Sequence, residues 1–190
     1  MLRFLILCVV SACAPRLQPG FEIEGGDFTD SDVYSVIDDA GVDTTQVQAE
    51  DKVKWVFYDF ESNKEVTEED PAWDLAFQRF NIRMNGGAGG PGSVAVATFK
   101  DVGFDVVSEA PSVEQFQQDA PNPKGGAPGY VFQRGDGWYY YDLGKHVLTS
   151  RKWVYALRSA EGTLYKMQNL NYYDSLGSSG YPAFKWVKLQ

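Results

Sequence analysis

The chain has 190 residues, of which 44% are apolar and 23% charged, the composition of one ordinary globular domain with room for a tail. A formal charge of −9 argues against a nucleic-acid binder, because phosphate recognition needs a surplus of Lys and Arg. One His and two Cys exclude a His- or Cys-rich zinc site and a disulfide framework.

Met1 to Cys13, MLRFLILCVVSAC, reads as a targeting segment. Arg3 is a short positive region, and Phe4 to Val10 is an apolar stretch too short to span a bilayer. Ser11 and Ala12 directly precede Cys13, and Val-Ser-Ala-Cys resembles a bacterial lipobox. Residues 1–12 are therefore expected to be a lipoprotein signal peptide, with Cys13 carrying the lipid. Acyl chains contribute about 0.8 kcal/mol per buried CH₂, so several chains hold a soluble domain on a membrane. Ala14, where an Asp would signal retention, fits outer-membrane sorting in a Gram-negative bacterium. The expected location is the outer membrane or cell surface, lipid-anchored.

Pro15, Pro19, Gly20, Gly25 and Gly26 follow with little periodicity. Glu22 to Asp70 holds sixteen acidic and three basic residues, so the acidity sits early in the chain. Residues 13–45 are expected to form an acidic flexible tether, and residues 46–190 the folded domain. Asp38, Asp39 and Asp43 lack EF-hand spacing and its closing Glu, which disfavours calcium there.

From Lys52 to Phe60 the chain is β-branched and aromatic, with Val53, Trp55 and Phe57 on one face. Ser62-Asn63 predicts a hairpin turn before Val66. Trp73 to Met84 fits a helical stripe (Trp73, Ala76, Phe77, Phe80, Met84) as well as a strand face (Trp73, Leu75, Phe77), and strand is the reading adopted. Asn85-Gly86-Gly87 opens a Gly-rich stretch to Gly92 that reads as a flexible hairpin loop. Val94–Phe99 and Val102–Val107 read as short strands, and Ser112-x-x-Gln115 as a capping box opening a short helix over Val113–Asp119. Further strands are expected at Tyr130–Arg134, Trp138–Leu143, Trp153–Arg158, Leu164–Tyr172 and Phe184–Leu189. The sum is an all-β fold, a sandwich or open barrel of short antiparallel strands with one short helix.

Catalytic chemistry finds little support. No nucleophile elbow accompanies His146, and the Gly-rich stretch lacks the Lys-Ser/Thr of a phosphate-binding loop. The expectation is a protein that is not an enzyme. His146 is either a surface or capping residue or one axial ligand to a haem iron, for which His, Met and Tyr all serve. Met84 and Met167 are the thioethers left after export. Tyr139, Tyr140, Tyr141, Tyr172 and Tyr173 lie on strands, so some must face water or a ligand.

Several segments in order resemble the HmuY-like family of bacterial exported haem-binding proteins: Trp73-Asp74-Leu75-Ala76-Phe77-Gln78-Arg79-Phe80 with Asn85-Gly86-Gly87, then His146-Val147-Leu148-Thr149, Tyr165-Lys166-Met167 and Tyr172-Tyr173-Asp174. The resemblance spans roughly Lys52 to Gln190 and implies an all-β fold, which favours the strand reading of Trp73–Met84. It implies haem as cofactor, clamped by a His pair or a Met pair. A His pair within one chain is out of reach here, leaving His146 with Met84 or Met167, or Met84 with Met167. Arg79, Arg83 and Lys166 are expected to meet haem propionates at the pocket mouth and Tyr141 to contact the macrocycle. The implied partners are a host haem protein and an outer-membrane receptor. The alternative is a non-enzymatic surface interaction module that keeps the fold without haem.

Overall fold

The computed structural model describes residues 27–126 and 128–189. The expected signal peptide and the lipidation residue Cys13 lie outside the described residues. Twelve strands follow in chain order: β1 (Val33–Ile37), β2 (Asp43–Val47), β3 (Val56–Asp59), β4 (Lys64–Val66), β5 (Leu75–Gln78), β6 (Asn81–Met84), β7 (Ala95–Phe99), β8 (Tyr139–Asp142), β9 (Val147–Ser150), β10 (Val154–Arg158), β11 (Leu164–Tyr173) and β12 (Ser179–Lys188). They build a six-stranded sheet in the order β1-β2-β12-β11-β10-β7, a four-stranded sheet in the order β4-β3-β5-β6, and the separate hairpin β8-β9. Every strand pairing is antiparallel. Among the described residues no helix is long and apolar enough to cross a membrane.

The two larger sheets face each other across an aromatic core. Tyr58 and Phe77 of the small sheet meet Phe184 of the large one, with ring centroids 5.6 and 5.4 Å apart, and Phe60 meets Trp186 at 5.0 Å. Such contacts add about 0.5–1.5 kcal/mol each beyond the area they bury. The all-β expectation holds.

The inner and outer faces alternate as strands require. Tyr155 and Leu157 of β10 enter the main core, while Val154 and Ala156 pack on the outside of the sheet. The outside is covered by residues 102–116, and this corrects the strand expected at Val102–Val107. That segment holds a 3₁₀ turn, Phe104–Val106, in which Phe104 and Val107 are buried and Val106 is exposed. Spacing of three places both buried residues on one side of a 3₁₀ turn, which a strand would not. Lys166 fastens the cover by donating to the carbonyls of Phe104 and Val107 at 3.0 and 2.9 Å.

Three more expectations are corrected. The strand at Tyr130–Arg134 is a 3₁₀ turn, Val131–Gln133, with the neighbours Val131 and Phe132 both buried. The helix at Val113–Asp119 shortens to the single turn Val113–Gln115, opened by the anticipated capping box. The tether expected over 13–45 does not extend that far, because β1 and β2 belong to the large sheet. Strand β2 is polar yet buried, since Thr45 Oγ1 is 2.8 Å from Ser35 Oγ and accepts from Trp186 Nε1 at 2.9 Å. Asp38 caps the β1–β2 turn by accepting from the backbone of Ala40 and Val42, a structural use of that acidic run.

Trp73–Met84 is extended, as expected, but it is a hairpin rather than one strand. Gln78 pairs with Asn81, so Arg79-Phe80 is a two-residue turn with Arg79 at φ 55°. Asp74 is buried at the start of this hairpin and accepts from the backbone N–H groups of Phe60 and Ala160 at 3.0 and 2.7 Å. It thereby ties the small sheet to the β10–β11 turn. The Gly-rich stretch is not a loose loop. A Cβ at Gly86 would lie 2.1 Å from Val94 O, and one at Gly87 2.1 Å from Asp119 O. Asp119 in turn accepts from the backbone of Met84 and Val131 at 2.9 and 2.7 Å.

Candidate functional site

A cavity of about 650 Å³ opens between three hairpin ends, a size within the roughly 300–1,000 Å³ typical of ligand sites. One wall is the β8–β9 hairpin with Tyr139, Tyr141, Lys145, His146 and Leu148. The second is the Arg79-Phe80 turn, and the third is the end of β11 with Tyr172 and Tyr173, followed by Gly177 and Ser179.

Local structure explains how each wall presents its side chains. Asp142 ends β8 and accepts from the backbone of Gly144 and Lys145 at 2.9 and 3.0 Å, an Asx turn that folds the loop back. The loop closes with His146 in the left-handed region at φ 55°, directly before β9. On β11 the register with β12 slips between Asn169 and Asn171 and again between Asn171 and Tyr173. A bulge re-aims side chains, and here the consecutive residues Tyr172 and Tyr173 both line the cavity, where a regular strand would send one away.

The floor is aromatic. Phe80 contacts Tyr139 and Tyr172 edge-on at 5.6 and 6.3 Å, and Tyr172 meets Tyr173 at 5.3 Å. Burial pushes the Tyr139 and Tyr172 phenols up, so both stay neutral. The Tyr173 hydroxyl accepts from the backbone of Leu148 at 2.8 Å, joining two walls. Two cations stand at the rim. Arg79 donates to Ser179 Oγ at 2.9 Å and to the carbonyls of Glu50 and Ser179 at 3.1 and 3.3 Å. It has no carboxylate partner among the described residues. Lys145 is 80% exposed at its side chain and only 4.0 Å-paired with Asp142.

His146 is exposed, and its Nδ1 lies 3.0 Å from the Tyr141 hydroxyl. With Nδ1 engaged, Nε2 is the nitrogen available to a ligand. A partner on the second ring nitrogen is how metal-ligating histidines are oriented.

Of the residues anticipated from sequence, His146, Tyr141 and Arg79 come together here. The other four do not, Lys166 being held instead by the carbonyls of Phe104 and Val107. Met84 and Met167 have no exposed surface and lie in the core between the sheets. Arg83 lies on the outer face of the small sheet, its guanidinium 4.7 Å from the Trp55 ring and 5.3 Å from the Trp73 ring, donating to Glu68 at 2.7 Å. Sequence reasoning missed Lys145 and Phe80. Lys145 precedes His146 inside a turn signal, Asp142-Leu143-Gly144, and that adjacency was the available clue.

Residues 51–127 match the family model described as HmuY protein. Over that stretch the chain is similar to the HmuY family. That match takes in the Trp73–Phe80 segment and the Asn85-Gly86-Gly87 turn, including Arg79 and Phe80 of the cavity. Solved structures agree over a larger span. A candidate HmuY-like heme binding protein from Bacteroides vulgatus is 18% identical, with 80% of this chain and 96% of that one covered and a TM-score of 0.59. An apo HmuY analog from Tannerella forsythia is 14% identical, with 83% and 97% covered and a TM-score of 0.60. A candidate lipoprotein from Bacteroides fragilis is 19% identical, with 80% and 92% covered and a TM-score of 0.56. At these identities the likeness is one of fold. No curated protein matches the sequence.

Proposed function

We propose that this HmuY-like chain is a surface lipoprotein that binds haem in the cavity around His146. The observation that carries the reading is convergence: the one imidazole of the chain, an aromatic floor and two rim cations meet in a single cleft. Each element suits a flat tetrapyrrole with apolar faces and two carboxylates. Tyr139, Tyr172 and Phe80 offer ring contacts, and Arg79 and Lys145 suit the propionates. Bound haem supplies an iron centre, and Nε2 of His146 is the chain's donor to it. The two core thioethers have no part in this scheme. The name of the Bacteroides vulgatus neighbour supports haem as the ligand, and that of the Bacteroides fragilis neighbour supports lipid anchoring. Anchored at Cys13 to the outer membrane, the protein would take haem from a host haem protein or pass it to an outer-membrane receptor.

Titration of the purified chain with ferric and ferrous haem tests the proposal. A shifted Soret band that His146→Ala alters is the expected result, and no spectral change in either oxidation state overturns it.

A second reading, an interaction module without haem, is favoured by two leucines beside the cleft. Leu143 and Leu176 are 78% and 83% exposed in the loops that carry Lys145 and Gly177. It predicts no haem affinity, so the same titration separates the two.

A further inference from the structure

A second cavity, of about 410 Å³, opens where β7 and β10 meet Gln117 and the turn after Val131–Gln133. Thr98, Lys100, Gln117, Arg134, Trp153 and Tyr155 are its chemically distinctive walls, and it shares no residue with the His146 cavity. No carboxylate lines it, although the chain carries a formal −9.

Its cations are positioned by the fold and form no salt bridge among the described residues. Lys100 Nζ sits 4.4 Å from the centre of the Trp153 ring, a cation–π seat, and forms no ion pair among the described residues. Arg134 is held by two backbone carbonyls, Nε to Gly129 at 2.9 Å and Nη2 to Gln118 at 2.7 Å. Its Nη1 has no acceptor among the described residues. A guanidinium fixed on one side presents its other edge to a ligand without further loss of side-chain freedom.

A second, separate observation comes from Tyr155. It is only 1% exposed, yet its hydroxyl has no hydrogen-bond partner among the described residues while the residue lines the cavity. Burial pushes this phenol up, so it remains a donor at any ordinary pH. The hydroxyl is not sealed in the core: it opens on the cavity and is free to donate into it.

We propose that this cleft binds a small oxyanion, the carboxylate or phosphate group of a small molecule, held by Lys100 and Arg134 with the Tyr155 hydroxyl as a further donor in its wall. Charge supplies the attraction, since two cations in an acid-free cleft focus a positive potential. Arg134 supplies directional hydrogen bonding. The site does not depend on the haem reading.

The test is a titration of the full chain with citrate, with inorganic phosphate and with neutral glycerol, followed by tryptophan fluorescence and by amide shifts at Thr98, Lys100 and Tyr155. Saturable changes with citrate or phosphate, and none with glycerol, are expected; the tighter of the two identifies the source of the oxyanion. Arg134→Gln and Lys100→Gln should each weaken binding about tenfold, the scale of a hydrogen bond to a charged group. Tyr155→Phe, which keeps the ring in the core, should weaken it by a smaller factor at an unchanged denaturation midpoint. His146→Ala should leave it intact. No saturable binding, an equal response to glycerol, or affinity indifferent to both Gln substitutions overturns the proposal.

Discussion

The hydroxyl of Tyr141 lies 3.0 Å from Nδ1 of His146, so the two side chains that flank the β8–β9 loop hold each other in place. Neither is buried, and the bond rather than packing sets the direction of the imidazole. Tyr141→Phe should keep the form of the haem spectrum and weaken haem binding about tenfold, the lower end of what loss of an orienting partner costs a metal site. His146→Ala should change the spectrum itself. Absorbance titration of both variants checks the pair.

Met84 and Met167 should be silent in haem binding and audible in stability. Both are fully buried, and Met167 sits opposite Trp186 and Tyr155 in the sheet. Met→Leu at either position nearly conserves volume and should cost less than about 1.5 kcal/mol. Met→Ala should cost about 2–5 kcal/mol through the cavity it leaves. Urea denaturation measures the cost, and haem spectra of the Leu variants should match the parent.

Asp74 makes stability depend on pH. Burial is the largest influence on it and pushes its carboxyl from 3.8 up to about 7, against the pull of the Phe60 and Ala160 N–H groups. Between those two values the native state holds a proton that the unfolded chain has released. Stability therefore falls as pH rises through this window, and the full penalty is present above about 7. Asp119, raised to about 6 by burial, adds a similar slope that ends earlier. Asp74→Asn should lower stability near pH 4, where one backbone N–H loses its acceptor, and should flatten the decline between pH 6 and 7. Denaturation midpoints from pH 4 to pH 8 provide the measurement.

The Gly-rich stretch should be intolerant at its start. Gly87 combines φ 64° with a Cβ position 2.1 Å from the Asp119 carbonyl. Gly87→Ala should destabilise by more than the roughly 1 kcal/mol that backbone strain alone costs, because the Asp119 tie to Met84 and Val131 must also move. Gly162→Ala, at φ 89° with nothing near its Cβ position, isolates the strain term. The difference in denaturation free energy between the two variants is the readout.

Much of the architecture could be read from the chain, and the failures share a cause. Period-two patterns such as Trp153–Arg158 and Leu164–Tyr172 became β10 and β11 because one face meets the core. Strand β2 escaped notice because its buried Thr45 is satisfied by hydroxyl and indole partners that only the fold supplies. The Arg79-Phe80 turn carries no Gly or Asn, so nothing local announced it. In the cleft, His146, Tyr141 and the tyrosines at 172–173 were legible as chemistry, whereas side-chain type alone could not separate core thioethers from ligands. Lys145 and Phe80 depend on loops meeting in space, which no spacing rule reports.

The register slips at the end of β11 have a further consequence. They turn two neighbouring tyrosines to the same side without altering the length of the strand or the face that packs between the sheets. The proposed recognition chemistry thus hangs from an irregular strand end and from loop tips such as Lys145, His146 and Gly177. Those tips lie outside the two paired sheets, so a substitution there leaves their strand pairings untouched.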